Sequence, residues 1–431
     1  MAPILHAAAP AATATDLNSL WLMVAAALVL LMTPGVAFFY GGMVKAKSVI
    51  SMMMMSFGAI ALVAVLFVLY GYSMAFSQGS GWAIPGIVGN PFASFALIPQ
   101  LTSGADGAPD LNALAFAGFQ ATFAIITVAL ISGAIADRAK FGAWMVFAGV
   151  WVTLVYFPVA AWVFNLGDDG GWIQGFGVND FAGGTAVHIN AGAAGLALAI
   201  VLGRRVGFAK GMVKPHNVPL TLLGASLLWF GWFGFNAGSE AAVDGVAALA
   251  WINTLAAPAA ATLGWLIVEK IKDGKATSIG AASGAVSGLV AITPACNILT
   301  PFWGMVLGLV TGAVCALAID LKWRLGFDDS LDVVGIHFVG GWIGTLYIGL
   351  FGSDRGLFLG HDASSLGKQF VGAAAVTIFS FFSAALLGWI IQKTIGFRVT
   401  SEDEVAGVDN TVHGEEGYLL DDREDASAIR V

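Results

Sequence analysis

Long apolar segments separated by short polar loops occupy almost the whole chain. A window of about 19 residues detects eleven of them, near residues 20–43, 50–73, 113–135, 142–164, 182–202, 218–237, 246–268, 278–296, 301–319, 333–351 and 369–392. A helix needs about 20 apolar residues to cross the hydrocarbon core of a bilayer. Membrane β-strands would instead be short and alternating. The pattern therefore predicts an all-α integral membrane protein with eleven transmembrane helices.

Composition agrees with this fold class. Of the 431 residues, 58% are hydrophobic and only 11% are charged, whereas soluble domains carry about 25% charged residues. Cys296 and Cys315 lie in separate apolar segments, so no structural disulfide is expected. The first 18 residues lack Lys and Arg, and no apolar core precedes "AAPAATA", so no removable signal peptide is expected. No nucleic-acid partner is expected, and the net charge of −8 is not informative as a total.

The basic residues predict the orientation. They follow the odd-numbered segments, at Lys45, Lys47, Arg138, Lys140, Arg204, Arg205, Lys210, Lys214, Lys270, Lys272, Lys275, Lys322, Arg324, Lys393 and Arg398. The long loop at about 74–112 contains none. Cytoplasmic loops carry an excess of Lys and Arg. We therefore predict a multi-pass cell-membrane protein with an extracellular N-terminal segment (1–19), a membrane domain (20–395) and a cytoplasmic tail (396–431).

Two histidines occupy matched places in two halves of the chain. His188 lies eight residues after Asp180 in segment five, and His337 lies five residues after Asp332 in segment ten. At 1.5 Å per residue these are rises of about 12 Å and about 7.5 Å from opposite faces. Five helices per half make the second half (218–351) inverted relative to the first (20–202). Transporters with inverted repeats place their sites between the repeats.

Three roles are open for these histidines. A single histidine in an apolar helix is most often a structural one, but two at matched positions argue against that role. Zinc requires three or four protein ligands, and no Cys, Glu or third His lies in register, so no metal is expected. A proton relay or a polar pore lining fits better, because an imidazole can donate at one nitrogen and accept at the other. No nucleophile–base pair indicates an enzyme, and no cofactor is expected.

Several separated motifs resemble one family. "DFAGGTAVHINAG" (180–192) and "DVVGIH" (332–337) occur with "MTPGVAFFYGGMV" (32–44), "FQATFAIITVALISGAIADR" (119–138), "WFGFNAGS" (232–239), "AITPAC" (291–296) and "HGEEGY" (413–418). Together they resemble the signatures of the Amt/Mep/Rh ammonium transporters, on the bacterial Amt side. The resemblance implies two inverted five-helix repeats plus a C-terminal helix, assembled as a homotrimer with one pore in each subunit.

The resemblance also implies roles for individual residues. His188 and His337 match the paired pore histidines, and Asp180 matches a carboxylate that organises the site. The other positions that match the pore are Phe123 and Phe235 of the stacked phenyl gate, Ser239 of the outer recruitment site, and Trp232 at the start of "WFGFNAGS". The family often has Trp at the outer end of segment four, where this chain has Phe164, with Trp162 two residues earlier. Either ring could therefore complete the outer site.

The function implied is transport of ammonium, with methylammonium as an analogue. The expected mechanism is that ammonium is captured outside and deprotonated, that ammonia passes the histidines, and that a separate route through the imidazoles is open to the proton. The alternatives are an ammonium sensor with little flux and an electroneutral Rh-like gas channel. The acidic tail is typical of a disordered segment by composition. The resemblance instead implies an ordered cytoplasmic segment that contacts a neighbouring subunit and a PII-type signal protein.

Overall fold

Eleven apolar helices form the membrane part of the residues that the structure describes. The computed structural model describes residues 13–167, 169–211 and 214–418. The helices are α1 (Ala14–Met43), α2 (Ala46–Phe76), α3 (Leu111–Ile135), α4 (Phe141–Phe164), α5 (Gly184–Leu202), α6 (Val218–Gly238), α7 (Gly245–Asp273), α8 (Ser278–Ile292), α9 (Pro301–Leu325), α10 (Val334–Phe351) and α11 (Ser364–Thr394). Ten are long and apolar enough to cross a membrane, and α8 is a shorter apolar helix. The predicted all-α membrane fold with eleven helices is confirmed.

Helix ends differ from the predicted bounds where polar capping or proline decides them. Helix α1 begins at Ala14, six residues earlier than predicted, because Thr13 and Asp16 form a capping box. It therefore includes part of the predicted N-terminal segment, whose first twelve residues lie outside the described range. Helix α8 ends at Ile292, four residues earlier than predicted. Pro294 follows there, and proline lacks the backbone N–H that the next helical hydrogen bond would need.

The first helices of the two repeats run in opposite directions. The backbone N–H of Asn217, just before α6, donates to Gly42 O at the end of α1 (3.1 Å). At the other end, the Trp21 indole of α1 donates to Ala237 O of α6 (3.2 Å). A Cβ at Gly224 would collide with the backbone of Phe39, so glycine permits this close contact. Helices α1 and α6 are therefore an antiparallel pair, as an inverted repeat requires.

The fifth helices of the two repeats share an unusual start. Both α5 and α10 begin with a widened π-helical turn, at Gly184–Ile189 and Val334–Phe338, and each turn contains a histidine. Such turns occur frequently at functional sites. A Cβ at Gly341 of α10 would approach the backbone of Gly184 and the side chain of His188. The two turns therefore pack against each other in the interior.

Lipid and protein surroundings divide each helix into two faces. Interior side chains such as Phe123, Phe147 and Trp151 are fully buried, whereas Val65 (57%) and Phe382 (65%) are among many exposed apolar side chains. A soluble monomer rarely exposes so much contiguous apolar surface. The chain is a multi-pass membrane protein whose exposed apolar faces suit a lipid environment.

The helix connections define two ends of the molecule. The end where α1 begins carries a two-stranded hairpin, β1 (Trp82–Ile84) and β2 (Val88–Gly89). A large cavity opens at this end, which we call the vestibule face. The tail face is the end where α1 finishes, and it carries the described tail residues, 396–418. Two short helical segments form in this tail, Ser401–Ala406 and Asp409–His413. The described tail is thus ordered, in contrast to what its composition alone indicates.

Candidate pore

A cavity of about 720 Å³ opens at the vestibule face. Phe164, Asp180, Ser239 and Glu240 are among its lining residues. The Ser239 hydroxyl donates to Phe235 O (2.8 Å), which fixes the hydroxyl at the end of α6. Its oxygen retains lone pairs that can accept from a cationic N–H group. We refer to this cavity as the vestibule.

A pair of phenyl rings closes the interior end of the vestibule. Phe123 and Phe235 stack face to face, with ring centroids 4.1 Å apart and planes inclined by 7°. Both side chains are fully buried. Phe164 meets Phe123 edge to face, at 5.9 Å and 89°. The three rings therefore lie between the vestibule and the interior and separate the two.

Of the two aromatic residues that could complete the outer site, Phe164 lines the vestibule. The indole N–H of Trp162 donates to Ile87 O (2.9 Å), in the loop that precedes β2. Its ring packs on Trp172 and Phe379, with centroids 5.7 Å and 4.8 Å away. The Trp162 ring thus packs between α4, the hairpin loop and α11. Because Trp162 lies two residues from Phe164, it is on another side of the helix.

The two histidines meet below the phenyl pair. The His188 ring lies 6.1 Å from the Phe235 ring, and the Nδ1 atoms of His188 and His337 are 3.3 Å apart. The two imidazoles are nearly parallel, inclined by 16°, and both are buried. At this distance one Nδ1 can donate a hydrogen that the other accepts, with the direction set by the tautomers. Two residues separated by 149 positions in the sequence therefore lie within hydrogen-bonding distance of each other.

Trp232 supports this pair from the side. Its ring stacks on His188 at 5.3 Å and 18°. Its indole N–H donates to the Thr293 hydroxyl (2.8 Å), which fixes the orientation of the ring. The Trp232 ring therefore lines one side of the imidazole pair. Thr293, between α8 and Pro294, fixes the position of that ring through its hydroxyl.

Asp180 caps the helix that carries His188. Its Oδ1 accepts from the backbone N–H groups of Gly183 (2.9 Å) and Gly184 (2.6 Å). Its Oδ2 accepts from the N–H of Thr185 (2.7 Å) and of Ala186 (3.1 Å), and also from the Thr185 hydroxyl. A carboxylate at a helix N-terminus is stabilised by these N–H groups and by the helix dipole. These five hydrogen bonds hold the Asp180 carboxylate at the start of α5.

Asp329 is the counterpart of Asp180 in the second repeat. It stands eight residues before His337, as Asp180 stands eight before His188. Its Oδ2 accepts from the Val334 N–H at the start of α10 (2.7 Å). Burial raises the pKa of the Asp329 carboxyl to about 6, although Lys322 opposes the shift. The sequence analysis missed Asp329 and considered only Asp332, which pairs with Lys322 (2.6 Å).

A second cavity, of about 340 Å³, lies at the tail face. Asp332, five residues before His337, lines it together with Arg205. Arg205 bridges Asp137 and Asp328, at 2.9 Å each. Burial would raise the pKa of Asp328, but hydrogen bonds and charge from Arg205 hold it below its usual value. The phenyl and histidine pairs thus lie between an opening on each face.

Comparison with known proteins identifies the family. A family model described as Ammonium Transporter Family matches residues 20–418. The ammonium transporter of Mycobacterium tuberculosis is 50% identical over 430 residues, which cover 93% of this chain and 90% of that protein. The chain belongs to the ammonium transporter family.

Solved structures agree with this assignment. A protein titled Sensor Amt Protein superimposes with a TM-score of 0.85 at 29% identity, over 92% of this chain and 98% of that one. The Mep2 structure of Saccharomyces cerevisiae gives a TM-score of 0.81 at 34% identity, over 90% and 91% of the two chains. The family is one of transport proteins and not of enzymes.

The transporter brings all eight residues singled out in the sequence into one region. They run from Ser239 and Phe164 at the vestibule, through Phe123 and Phe235, to Trp232, His188 and His337, with Asp180 at the start of α5.

Glu240, which was not among the residues expected from the sequence, also lines the vestibule. Burial, followed by nearby Asp244, raises the pKa of the Glu240 carboxyl. Among the described residues, no group of three His, Cys, Asp or Glu side chains could hold a metal ion.

The described tail of the transporter packs on the membrane domain of the same chain. Asp409 accepts from the backbone N–H groups of Ile50 (3.0 Å) and Ser51 (2.7 Å), near the start of α2. Glu404 accepts from the Val206 N–H (2.6 Å) and pairs with Arg398 (2.7 Å). These contacts connect the tail to the start of α2 and to the loop that precedes α6.

Proposed function

We propose that this ammonium transporter captures the ammonium ion in the vestibule and conducts ammonia. The cation is held by the π faces of the vestibule and by the Ser239 hydroxyl. It loses its proton at the Phe123–Phe235 pair. Ammonia then passes His188 and His337 and leaves through the cavity at the tail face. The proton follows a separate route through the imidazoles.

The cost of moving a charge supports deprotonation. The idealised cost of transferring an ammonium-sized ion from water to a low-dielectric interior is about 20 kcal/mol. A desolvated cation–π contact recovers about 2 kcal/mol or slightly more. The aromatic mouth can therefore hold the cation but cannot compensate for its passage through the interior. A neutral molecule avoids most of this cost.

The observation that carries the proposal is the histidine pair directly below the phenyl pair. With the two Nδ1 atoms 3.3 Å apart, each ring directs its Nε2 away from its partner. Nε2 of His188 is buried and has no hydrogen-bond partner among the described residues. In the tautomer where His188 Nδ1 donates, this Nε2 can accept from ammonia. The pair thus offers a hydrogen-bonding surface to a neutral molecule without a formal charge.

Replacing His188 by Ala tests this mechanism. We expect the variant to lose current and to change the ratio of methylammonium uptake to current, because the hydrogen-bonding contact between the two imidazoles disappears. His361→Ala is the matched control, since His361 is an exposed histidine in the loop before α11. Solid-supported membrane recordings with ammonium pulses measure the current. Unchanged selectivity together with unchanged current in His188→Ala would remove the histidines from the mechanism, and current-free transport by the wild type would favour an electroneutral gas channel.

We further propose a homotrimer in the cell membrane, with the vestibule face outside and the tail face in the cytoplasm. The basic residues near the tail face support this orientation. The docked tail supports a regulatory role, with a PII-type signal protein as the partner. Truncation after Arg398 removes Glu404 and Asp409 and should uncouple the subunits. Wild-type transport and regulation after that truncation would contradict the proposed role.

A sensor with little flux is the second candidate, and the similarity to a protein titled Sensor Amt Protein favours it. The higher identity to a transporter, 50% against 29%, favours transport. Proteoliposomes distinguish the two, because a sensor would bind ammonium without accumulating methylammonium.

A further inference from the structure

One surface segment combines strong exposure with an apolar composition. In the loop between α2 and α3, residues 92–101 read "FASFALIPQL". Phe92 is 74% exposed, Ile98 60%, Leu101 47% and Phe95 41%. The rings of Phe92 and Phe95 lie 6.1 Å apart and form an exposed aromatic pair. Large exposed apolar patches mark sites that another apolar surface covers.

The sequence around this segment carries no charge. No Asp, Glu, Lys, Arg or His occurs among the 58 residues from Ser48 to Ala105. The first half of this stretch is α2, which crosses the membrane, but the second half is a loop. A loop surrounded by water would carry about one charged residue in four. The uncharged composition of the membrane helix therefore continues into the loop.

The position of the segment matches the edge of the hydrocarbon core. Residues 95–101 contact the π-helical turn Phe67–Gly71 of α2. Helix α2 has 31 residues and is therefore about 46 Å long, about 8 Å longer at each end than a core of about 30 Å. Gly71 lies five residues before the helix end, about 7.5 Å below it. The segment is therefore packed on the part of α2 that enters the core.

The backbone of the segment favours exposure of these side chains. Ala96 and Leu97 both adopt left-handed conformations, with φ of 54° and 56°. This conformation is unfavourable for residues other than glycine. The tight turn leaves Phe95 and Ile98, on either side of it, exposed. An unfavourable turn that exposes apolar groups is understandable if those groups have a favourable environment outside the protein.

We propose that residues 92–101 insert into the headgroup–acyl boundary of the lipid bilayer, next to the lipid-facing surface of α2. Aromatic and aliphatic side chains partition favourably into this zone. The exposed faces of Val65 and Val68 on α2 already contact lipid, and the segment extends that contact. The loop then anchors the vestibule rim to the membrane.

Nitroxide labelling of the full-length protein in lipid nanodiscs tests this inference. Cys296 and Cys315 are fully buried, so unsubstituted protein serves as the labelling blank. Ile98→Cys and Phe92→Cys carry the label in the segment. Val65→Cys on α2 is the lipid-facing control, and Asp106→Cys, in an exposed part of the same loop, is the water-facing control. Wild-type elution and methylammonium uptake show that each variant is folded.

The readout is the collision rate of the label with oxygen, which enriches in lipid, and with a water-soluble nickel chelate. We expect the oxygen-to-nickel ratio at Ile98 to exceed that at Asp106 by about threefold or more, and to approach that at Val65. A ratio at Ile98 and Phe92 equal to that at Asp106 would overturn the proposal. Protection from both reagents would also overturn it, because a second copy of the chain would then cover the segment.

Discussion

The cap formed by Asp180 allows a quantitative prediction about the pore. The substitution Asp180→Asn keeps the size of the side chain but replaces one carboxylate oxygen by an NH₂ group. The two oxygens accept five hydrogen bonds, two at Oδ1 and three at Oδ2. Depending on which way the amide turns, it loses either the two acceptor contacts at Oδ1 or the three at Oδ2, so at least two are lost.

Hydrogen bonds to a charged group contribute about 1.5–3 kcal/mol each. Losing two of them predicts a decrease of about 3–6 kcal/mol in the free energy of unfolding. Because the same turn carries His188, we also expect methylammonium uptake to decrease. The loss of the cap leaves buried N–H groups without partners at the start of α5, so the histidine no longer has a fixed position.

Asp110→Asn is the matched control. Asp110 also caps a helix, α3, but its side chain accepts only from the Ala113 N–H (2.9 Å). Asn is as good an N-cap residue as Asp, so Asp110→Asn should keep this single contact and lose little stability. Thermal unfolding of both variants in detergent, followed by intrinsic Trp fluorescence, compares them directly. If Asp180→Asn were no less stable than Asp110→Asn and transported normally, the capping argument would be wrong.

Three further predictions concern the two ends of the pore. Phe164→Trp should lower the apparent KM for methylammonium about two- to fivefold, because indole gives the strongest cation–π contact, about 0.5–1 kcal/mol at exposed sites. Uptake kinetics measure this KM, and the control Trp162→Phe should leave it unchanged. Glu240→Gln should raise that KM by about fivefold, since a carboxylate near a cation contributes about 1 kcal/mol at 4 Å in water, and the effect should shrink at high salt. For Asp329, burial raises the pKa to about 6, against about 4 in an unfolded chain. Its contribution to stability is therefore complete below about pH 4 and is lost, by about 3 kcal/mol, as the pH rises through about 6. Asp329→Asn should flatten the dependence of Tm on pH over that range, and an unchanged pH profile would contradict the assignment.

The helix count and the repeat could be predicted from the sequence for a clear physical reason. Lipid offers no hydrogen bonds to the backbone, so a spanning segment must be helical and apolar along its whole length. That requirement is local, and it is visible in any window of the chain. The ends of α1 and α8 were less predictable, because a capping box and a proline determine them. Both act within one turn, and a window of about 19 residues averages over so short a signal.

The site residues divide in the same way. His188 and His337 were identifiable because an ionisable group is rare in an apolar helix. Asp329 could have been found from its spacing, since it precedes His337 by the same eight residues that separate Asp180 from His188. No comparable local signal distinguishes Thr293, whose hydroxyl holds Trp232.

The sequence by itself determined that the chain crosses the membrane, how many times it does so, and which rare polar groups it carries into the interior. These are consequences of the energy of single segments in lipid. Only the tertiary structure decided that two imidazoles 149 residues apart lie within hydrogen-bonding distance, that Phe164 rather than Trp162 lines the vestibule, and that the Asp180 carboxylate caps a helix N-terminus. Those facts depend on how helices rotate and pack against one another, and contacts between distant segments leave no periodicity in the sequence.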